Sequence, residues 1–457
     1  MSTLVNSSAV LSSYGYTGYT PNSSFVQHTP YEAVTNAQEF LNLTVPVHLP
    51  NMISNNPAAS EFLPQTVRTA APSVDGYTDI TPEQSGIDFG GTDYFKYIAN
   101  DNEVLRKIEL IVQLAPLAAG SGGSNPRYED DILAAAMTKV EFQYGGTNLQ
   151  PRYGEKMHWD MLRDLNDGEL FRVSHERCAL MTPQERAARA TGTQFVQIEI
   201  PFWWTRAPNQ AWHQYALQRT TRVVITWDFA NNVLQQDGSS VLPTPSGGGN
   251  YIVQKWLRFH TTCLTTSTKE LFMKNIEAKG DTGKLYLIDD CQRMLKNVAT
   301  AGTNSTLLSL NTFTGYSHNM EIVIRPTANL NSNPMTNNRW ALSDVSAMRL
   351  DLSGRTYLSV TSKDELKDIK IGKWKGNSRY PIYCIPFSFD PATWWEGMGG
   401  LDFSQINTPQ LYIFPPGFSQ NWTNDMYIDV YLETRNFVRI NIAPGLSGAS
   451  TVLPLSS

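Results

Sequence analysis

Residues 138–146 read TKVEFQYGG. Apolar and polar side chains alternate around Val140 and Phe142, the period-two pattern of a strand with one buried face. Gly145-Gly146 follows at once and supplies a turn. The same theme recurs on both sides of this stretch: IELIVQL at 108–114, FVQIEIPF at 195–202 and TRVVITW at 221–227, then 320–324, 347–352, 410–414 and 426–432. Gly, Pro, Asn and Asp separate the runs. Many short strands divided by turn signals predict sandwiches or barrels rather than βαβ units.

Helical signals are few. Thr182-Pro183-Gln184-Glu185 is a capping box with proline at the first helical position, and it predicts a short helix to about residue 190. Residues 288–298 (IDDCQRMLKNV) are read as a second short helix. Gly120-Ser121-Gly122-Gly123 and Pro245 to Gly249 read as mobile loop tips. Neither runs from a strand into a helix with the Gly-Lys-Ser/Thr sequence of a phosphate cradle, so neither predicts nucleotide binding.

The chain has 457 residues, enough for two or three domains, and is 41% hydrophobic, so it can fill large cores. Only 17% is charged, which suits a surface largely covered by other copies. The net charge of −6 and the lack of any basic run argue against a nucleic-acid binder. Cys178, Cys263, Cys291 and Cys384 form no CxxC pair, so reduced, mostly buried thiols are expected rather than a zinc site. No signal-peptide pattern opens the sequence, and no apolar run is long enough to predict a membrane span.

Five segments, taken in order, carry a resemblance. Asn102-Glu103-Val104-Leu105 leads into a strand ending Leu114-Ala115-Pro116. Residues 128–165 hold a strand, the Gly145-Gly146 turn, Tyr153-Gly154-Glu155 and Trp159. Pro201-Phe202-Trp203-Trp204 is followed by Ala216-Leu217-Gln218 and Val223-Val224-Ile225. Pro386-Phe387-Ser388-Phe389 precedes Gly399-Gly400-Leu401-Asp402-Phe403-Ser404-Gln405-Ile406-Asn407. Asn436-Phe437-Val438-Arg439-Ile440 precedes Gly445-Leu446-Ser447-Gly448. Together these resemble the double jelly-roll major capsid proteins of nucleocytoplasmic large DNA viruses, as a divergent member. Gln405 and Asn407 stand where the family has Arg and Asp, and the family's N-terminal signature is not recognisable.

The resemblance implies two consecutive eight-stranded antiparallel jelly-roll barrels with short helices in loops. The Ser/Thr/Asn/Tyr/Gly-rich residues 1–40 read as a polar N-terminal arm, and with a last strand at Trp256 to Thr265 the first barrel is expected at 41–268 and the second at 271–457. Three copies would form a pseudo-hexameric capsomer that tiles an icosahedral shell. Partners would be further copies of the chain, minor capsid and penton proteins, and an internal membrane reached through minor proteins, with no direct contact to nucleic acid. The location would be the virion, after synthesis in host cytoplasm. The long loops 117–125 and 234–250 would point outward or meet a neighbouring copy.

No catalytic, cofactor or metal site is predicted. His28, His48, His158, His175, His213, His260 and His318 form no metal-ligand spacing, and each reads as a hydrogen-bonded surface or core residue. Asp130-Asp131 and Asp289-Asp290 are adjacent pairs, which cannot act together on one substrate atom, and solvated surface is expected for both. A hydrolase Gly-x-Ser-x-Gly elbow is absent. The alternative is a carbohydrate-binding or adhesin jelly roll using Trp203, Trp256 or Trp374 as a stacking platform. Trp203-Trp204 and Trp394-Trp395 are otherwise core or interface filler. Five sequons, at Asn6, Asn22, Asn42, Asn304 and Asn421, are ascribed to an Asn/Ser/Thr-rich composition rather than to glycosylation.

Overall fold

A tight hairpin anchors the first barrel. Strand β6 (Met137–Tyr144) turns through Gly145 and Gly146 into β7 (Thr147–Arg152), with Tyr144 opposite Thr147. Both glycines have positive φ, 58° and 86°, the requirement of a two-residue type I′ turn. The computed structural model describes residues 73–83, 88–97, 103–165, 167–206, 212, 220–266, 283–330, 332–361, 380–388, 399–416, 420–441 and 451–454. The predicted arm at 1–40, the boundary between Thr268 and Leu271, and Trp374, Trp394 and Trp395 lie outside these residues.

Six further strands complete the first barrel: β1 (Ser73–Ile80), β2 (Thr92–Tyr97), β3 (Glu103–Leu114), β8 (Gln194–Glu199), β9 (Thr221–Trp227) and β12 (Ile252–Leu264). One sheet has the order β1-β12-β3-β8 and the other β2-β9-β6-β7, all antiparallel. Apart from the β6–β7 hairpin, each step along these eight strands crosses from one sheet to the other. That winding is a jelly roll. Its core is the period-two inner face: Phe95 and Tyr97, Leu110 and Val112, Val140 and Phe142, Val196 and Ile198, Val223 and Ile225, Leu257 and Phe259.

The second barrel repeats the winding. Its strands are β13 (Gly283–Ala299), β14 (Thr306–Ser309), β15 (Tyr316–Pro326), β16 (Ala347–Leu352), β17 (Arg355–Val360), β18 (Tyr383–Pro386), β20 (Gln410–Phe414) and β21 (Met426–Asn441). The sheets run β13-β21-β15-β18 and β14-β20-β16-β17, with β19 (Leu401–Asp402) and β22 (Thr451–Pro454) added to the first. Each barrel therefore has the two four-stranded sheets of an eight-stranded jelly roll, as the resemblance implied.

One expectation fails. Residues 288–298 are not helical; they lie inside β13, paired with β21 from Gly283↔Asn441 to Ala299↔Met426 with one bulge. Their local composition tolerates a helix, but β21 offers a ladder along nearly the whole segment, and tertiary context overrides so weak a preference. The glycine-rich loop near residue 120 has an exposed tip at Ser121-Gly122 but an anchored base. β4 (Leu117–Ala118) pairs with β11 (Thr244–Pro245), and β5 (Ser124–Tyr128) with β10 (Leu234–Asp237). The Gly120 N–H donates to Gln236 Oε1 at 2.9 Å, and Gln236 is buried. Gly247, Gly248 and Gly249, by contrast, are exposed with positive φ.

Among the described residues, five α-helices sit in the first barrel's connections: α1 (Ile132–Ala136), α2 (Gly154–Asp164), α3 (Asp167–Arg177), α4 (Pro183–Ala190) and α5 (Trp203–Arg206). α4 has the predicted capping box: the Glu185 N–H donates to Thr182 Oγ1, and the Thr182 N–H to the Glu185 carboxylate. α3 carries no sequence signal strong enough to predict it.

Candidate functional site

The chemistry of this chain concentrates where α2 lies between the barrels. Tyr153-Gly154-Glu155 starts the helix, and Gly154 is required there: a Cβ would lie 2.2 Å from the Ala134 carbonyl oxygen and 2.4 Å from that of Met137. This close approach seats α2 on the first barrel. Its other side faces the sheet β13-β21-β15-β18.

At β15 and β21 that sheet is buried on both faces. Met320, Ile322 and Ile324 of β15 and Ile428, Val430 and Leu432 of β21 fill the second core. The alternate residues Glu321, Val323 and Arg325, with Asp429, Tyr431 and Glu433, turn toward α2. Val323 and Tyr431 join Trp159, Leu162, Leu170, Cys291 and Cys384 in an apolar seam. The charged positions are neutralised from α2. Lys156 Nζ reaches Glu321 at 3.1 Å and Glu433 at 2.7 Å and also pairs with Asp160. Arg163 Nη1 donates to Glu321 at 2.5 Å and to Glu433 at 3.3 Å.

Around these groups the electrostatics are set by burial first and by charge second. Burial opposes ionisation of Glu433, but Lys156 and Arg163, with a hydrogen bond from His318, hold it well below the usual carboxylate range. At Glu321 burial wins over the same two cations and pushes the carboxyl up to about 7. Glu433 thus keeps its charge into acid pH, while Glu321 gives up its proton only toward neutrality. Asp160, Glu321 and Glu433 bring three carboxylates close enough to hold a metal ion. The ammonium and guanidinium already occupy the positions between them, so the arrangement suits an internal ion-pair network and not a metal centre.

Two flanking networks complete the seam. Arg325 Nε donates to Asp429 at 2.9 Å, and its Nη atoms to Glu155 at 3.2 Å. Burial raises the Glu155 carboxyl less than Arg325 and Arg339 lower it, and they hold it at about 2. Arg339, from the β15–β16 connection, also binds Asp228 at 2.8 Å in the first barrel. On the other side Arg152 and Gln150 of β7 reach Asp289 of β13 at 2.6 and 2.7 Å. The connections join too: Gln235 Nε2 donates to the Asn337 carbonyl at 2.6 Å, and Asn337 Nδ2 to the Asn232 carbonyl at 2.8 Å.

The expectation that the aspartate pairs are solvated surface is therefore corrected. Asp131 is fully buried, bound by Arg177 and by His158 Nδ1 at 2.6 Å, and Asp289 is buried against Arg152. Asp130 and Asp290 are half-buried. Guanidinium groups from other elements, invisible to a local reading, make that burial tolerable. His158 stacks on Trp340 with ring centroids 3.8 Å apart, His260 bonds Glu109, and His318 bonds Glu433. His175 is exposed, and His28, His48 and His213 lie outside the described residues. The four cysteines are free, and Cys178, Cys291 and Cys384 are buried.

Trp203 and Trp204 are core filler: both pack on Phe142, with centroids 5.3 and 5.5 Å away. Trp203 is thus removed from the candidate sugar platform, and Trp256 is half-buried. Local sequence reading does not single out Lys156, Arg163, Glu321, Arg325, Asp429 or Glu433. Their one signal is charge placed four residues apart inside apolar strands, in MEIVIR at 320–325 and MYIDVYLE at 426–433.

Two complete jelly rolls of one winding, fused through a buried helix, define a double jelly-roll protein. Solved structures share this fold. PBCV-1 VP54, as fitted into a reconstruction of the virophage Sputnik, matches with a TM-score of 0.64 at 15% identity, over 84% of this chain and 97% of that one. The Faustovirus major capsid protein matches with a TM-score of 0.62 at 10% identity, over 80% and 90%. A chain of the Sputnik virophage matches with a TM-score of 0.52 at 10% identity, over 84% and 89%. No family model matches the sequence, and no curated protein matches it.

Proposed function

We propose that this chain is the major structural subunit of an icosahedral virus shell, acting as a homotrimer and not as an enzyme. The observation that carries the reading is the pair of identically wound barrels locked by α2, together with structural likeness spanning 97% of PBCV-1 VP54. A closed barrel pairs most of its strand edges internally, so association moves to loops and barrel faces, where it can be specified. Two barrels held rigidly side by side give one chain two similar lobes. Three chains then present six lobes, an outline that packs in a hexagonal net. The buried seam supplies the rigidity such tiling needs.

On this reading the division into barrels falls near residues 268–271, and the polar residues 1–40 face partners beneath the shell. Minor capsid and penton proteins would join the lattice, an internal membrane would be met through minor proteins, and the subunit would reach the virion from host cytoplasm. The carbohydrate-binding alternative has lost its buried Trp203. Size-exclusion chromatography with light scattering tests the choice. A stable species at three times the 51.1 kDa chain is expected. A strict monomer retained on a glycan resin would overturn it.

A further inference from the structure

A second feature of the inter-barrel region is a cleft of about 370 Å³, walled by both barrels. Its lining holds four cations, Arg293, Lys296, Arg325 and Arg339, against two carboxylates, Glu155 and Asp228. Arg325 and Arg339 form the floor, with their donors engaged by Glu155, Asp429 and Asp228. Arg293 and Lys296 are different. Both are exposed, and neither has an ion-pair partner among the described residues. The Arg293 guanidinium is held 3.8 Å from the centroid of the Tyr153 ring, which fixes its plane while leaving its donors free.

The backbone at Lys296 points the same way. β13 departs from its ladder with β21 between Met294 and Asn297, and Lys296 there has φ 56°, left-handed for a residue with a Cβ. The Asp429 carboxylate holds the strained peptide by accepting from the Lys296 N–H at 2.7 Å. A bulge re-aims a side chain out of the strand's alternation, and strain of this kind is kept where the surroundings impose it. Here it places an ammonium on the cleft wall near Arg293, above a floor whose arginines are matched by Glu155, Asp228 and Asp429.

We propose that this cleft binds a small polyanion of linked phosphate groups, with Arg293 and Lys296 as its direct ligands above the charge-matched Arg325–Arg339 floor. Arginine forks and lysine point charges are the usual partners of phosphate oxygens. A bound polyanion would touch both barrels and so fasten them further. A cleft of this size favours a compact ion over an extended acidic peptide, which would need a through-running groove.

Inorganic tripolyphosphate is the probe, titrated into the intact protein by calorimetry and followed by thermal shift, with sodium chloride at matched ionic strength as the control. Saturable binding and a raised melting temperature are expected. Arg293→Ala with Lys296→Ala should weaken binding about a hundredfold, at roughly tenfold for each charge-assisted hydrogen bond removed. The melting temperature without ligand should fall only slightly, because both side chains are exposed and the contact of Arg293 with the Tyr153 ring is the main one lost. ATP binding as tightly as tripolyphosphate would support the site as a reader of phosphates alone. Absence of saturable binding, equal binding by the double variant, or tighter binding of a penta-aspartate peptide would each overturn the proposal.

Discussion

Arg325→Met is the sharpest test of the seam. The guanidinium is 2% exposed, and it neutralises Asp429, which is fully buried, while sharing Glu155 with Arg339. Methionine restores much of the volume but leaves the Asp429 carboxylate with the Lys296 N–H as its remaining donor. Removing one member of a buried pair typically costs about 3–5 kcal/mol, because a charge is left uncompensated. Urea unfolding followed by circular dichroism, at one fixed protein concentration, should show a loss of that order at about pH 8. Burial already raises the Asp429 carboxyl above its ordinary value. Without Arg325 it rises further, so the group becomes neutral on mild acidification and the penalty should shrink by about pH 5. Arg325→Met combined with Asp429→Asn leaves no buried charge at that position and should cost less than the single change. A loss below about 1 kcal/mol, or one equal at both pH values, would refute the account of the seam as a charge-compensated interface.

Three further outcomes follow from the same structure. Glu321 and Glu129 are both pushed up to about 7 by burial, so they favour folding fully below the unfolded carboxylate value, and that contribution is lost as pH rises through about 7; the melting temperature should fall between about pH 5 and pH 8, and Glu321→Gln should flatten part of that slope. Gly154→Ala drives a Cβ into two backbone oxygens of α1 and the start of β6, and should abolish soluble expression, whereas alanine at the exposed Gly192, where a Cβ meets nothing within 4 Å, should be tolerated. Thr182→Ala removes the cap of α4 and should cost about 1 kcal/mol, seen as faster amide exchange confined to residues 183–190.

Much of the fold is legible at short range. Residues 221–227, 347–352 and 410–414 are strands with the bounds their alternation predicts, and α4 runs from Pro183 to Ala190 as its capping box requires. These features depend on neighbours a few residues apart, and local patterning carries them. The segment at 288–298 misleads because a 17-residue strand with Asp289, Asp290 and Arg293 in it has no clean alternation of its own; β21, more than a hundred residues away, supplies its ladder.

The seam lies at the same limit. Period two sorts Glu321, Arg325, Asp429 and Glu433 onto one face of their strands, opposite the apolar core. By that rule the face should meet water. What covers a face is a tertiary matter, and here α2 brings Lys156 and Arg163 to it from another barrel, so the charges are buried and paired. Residue order alone is enough for a mainly β chain, its strands, its tight turn at Gly145-Gly146 and the resemblance that implies two jelly rolls. That two barrels share a charged, buried interface emerges only in the folded chain, because opposite charges far apart in sequence meet nowhere else.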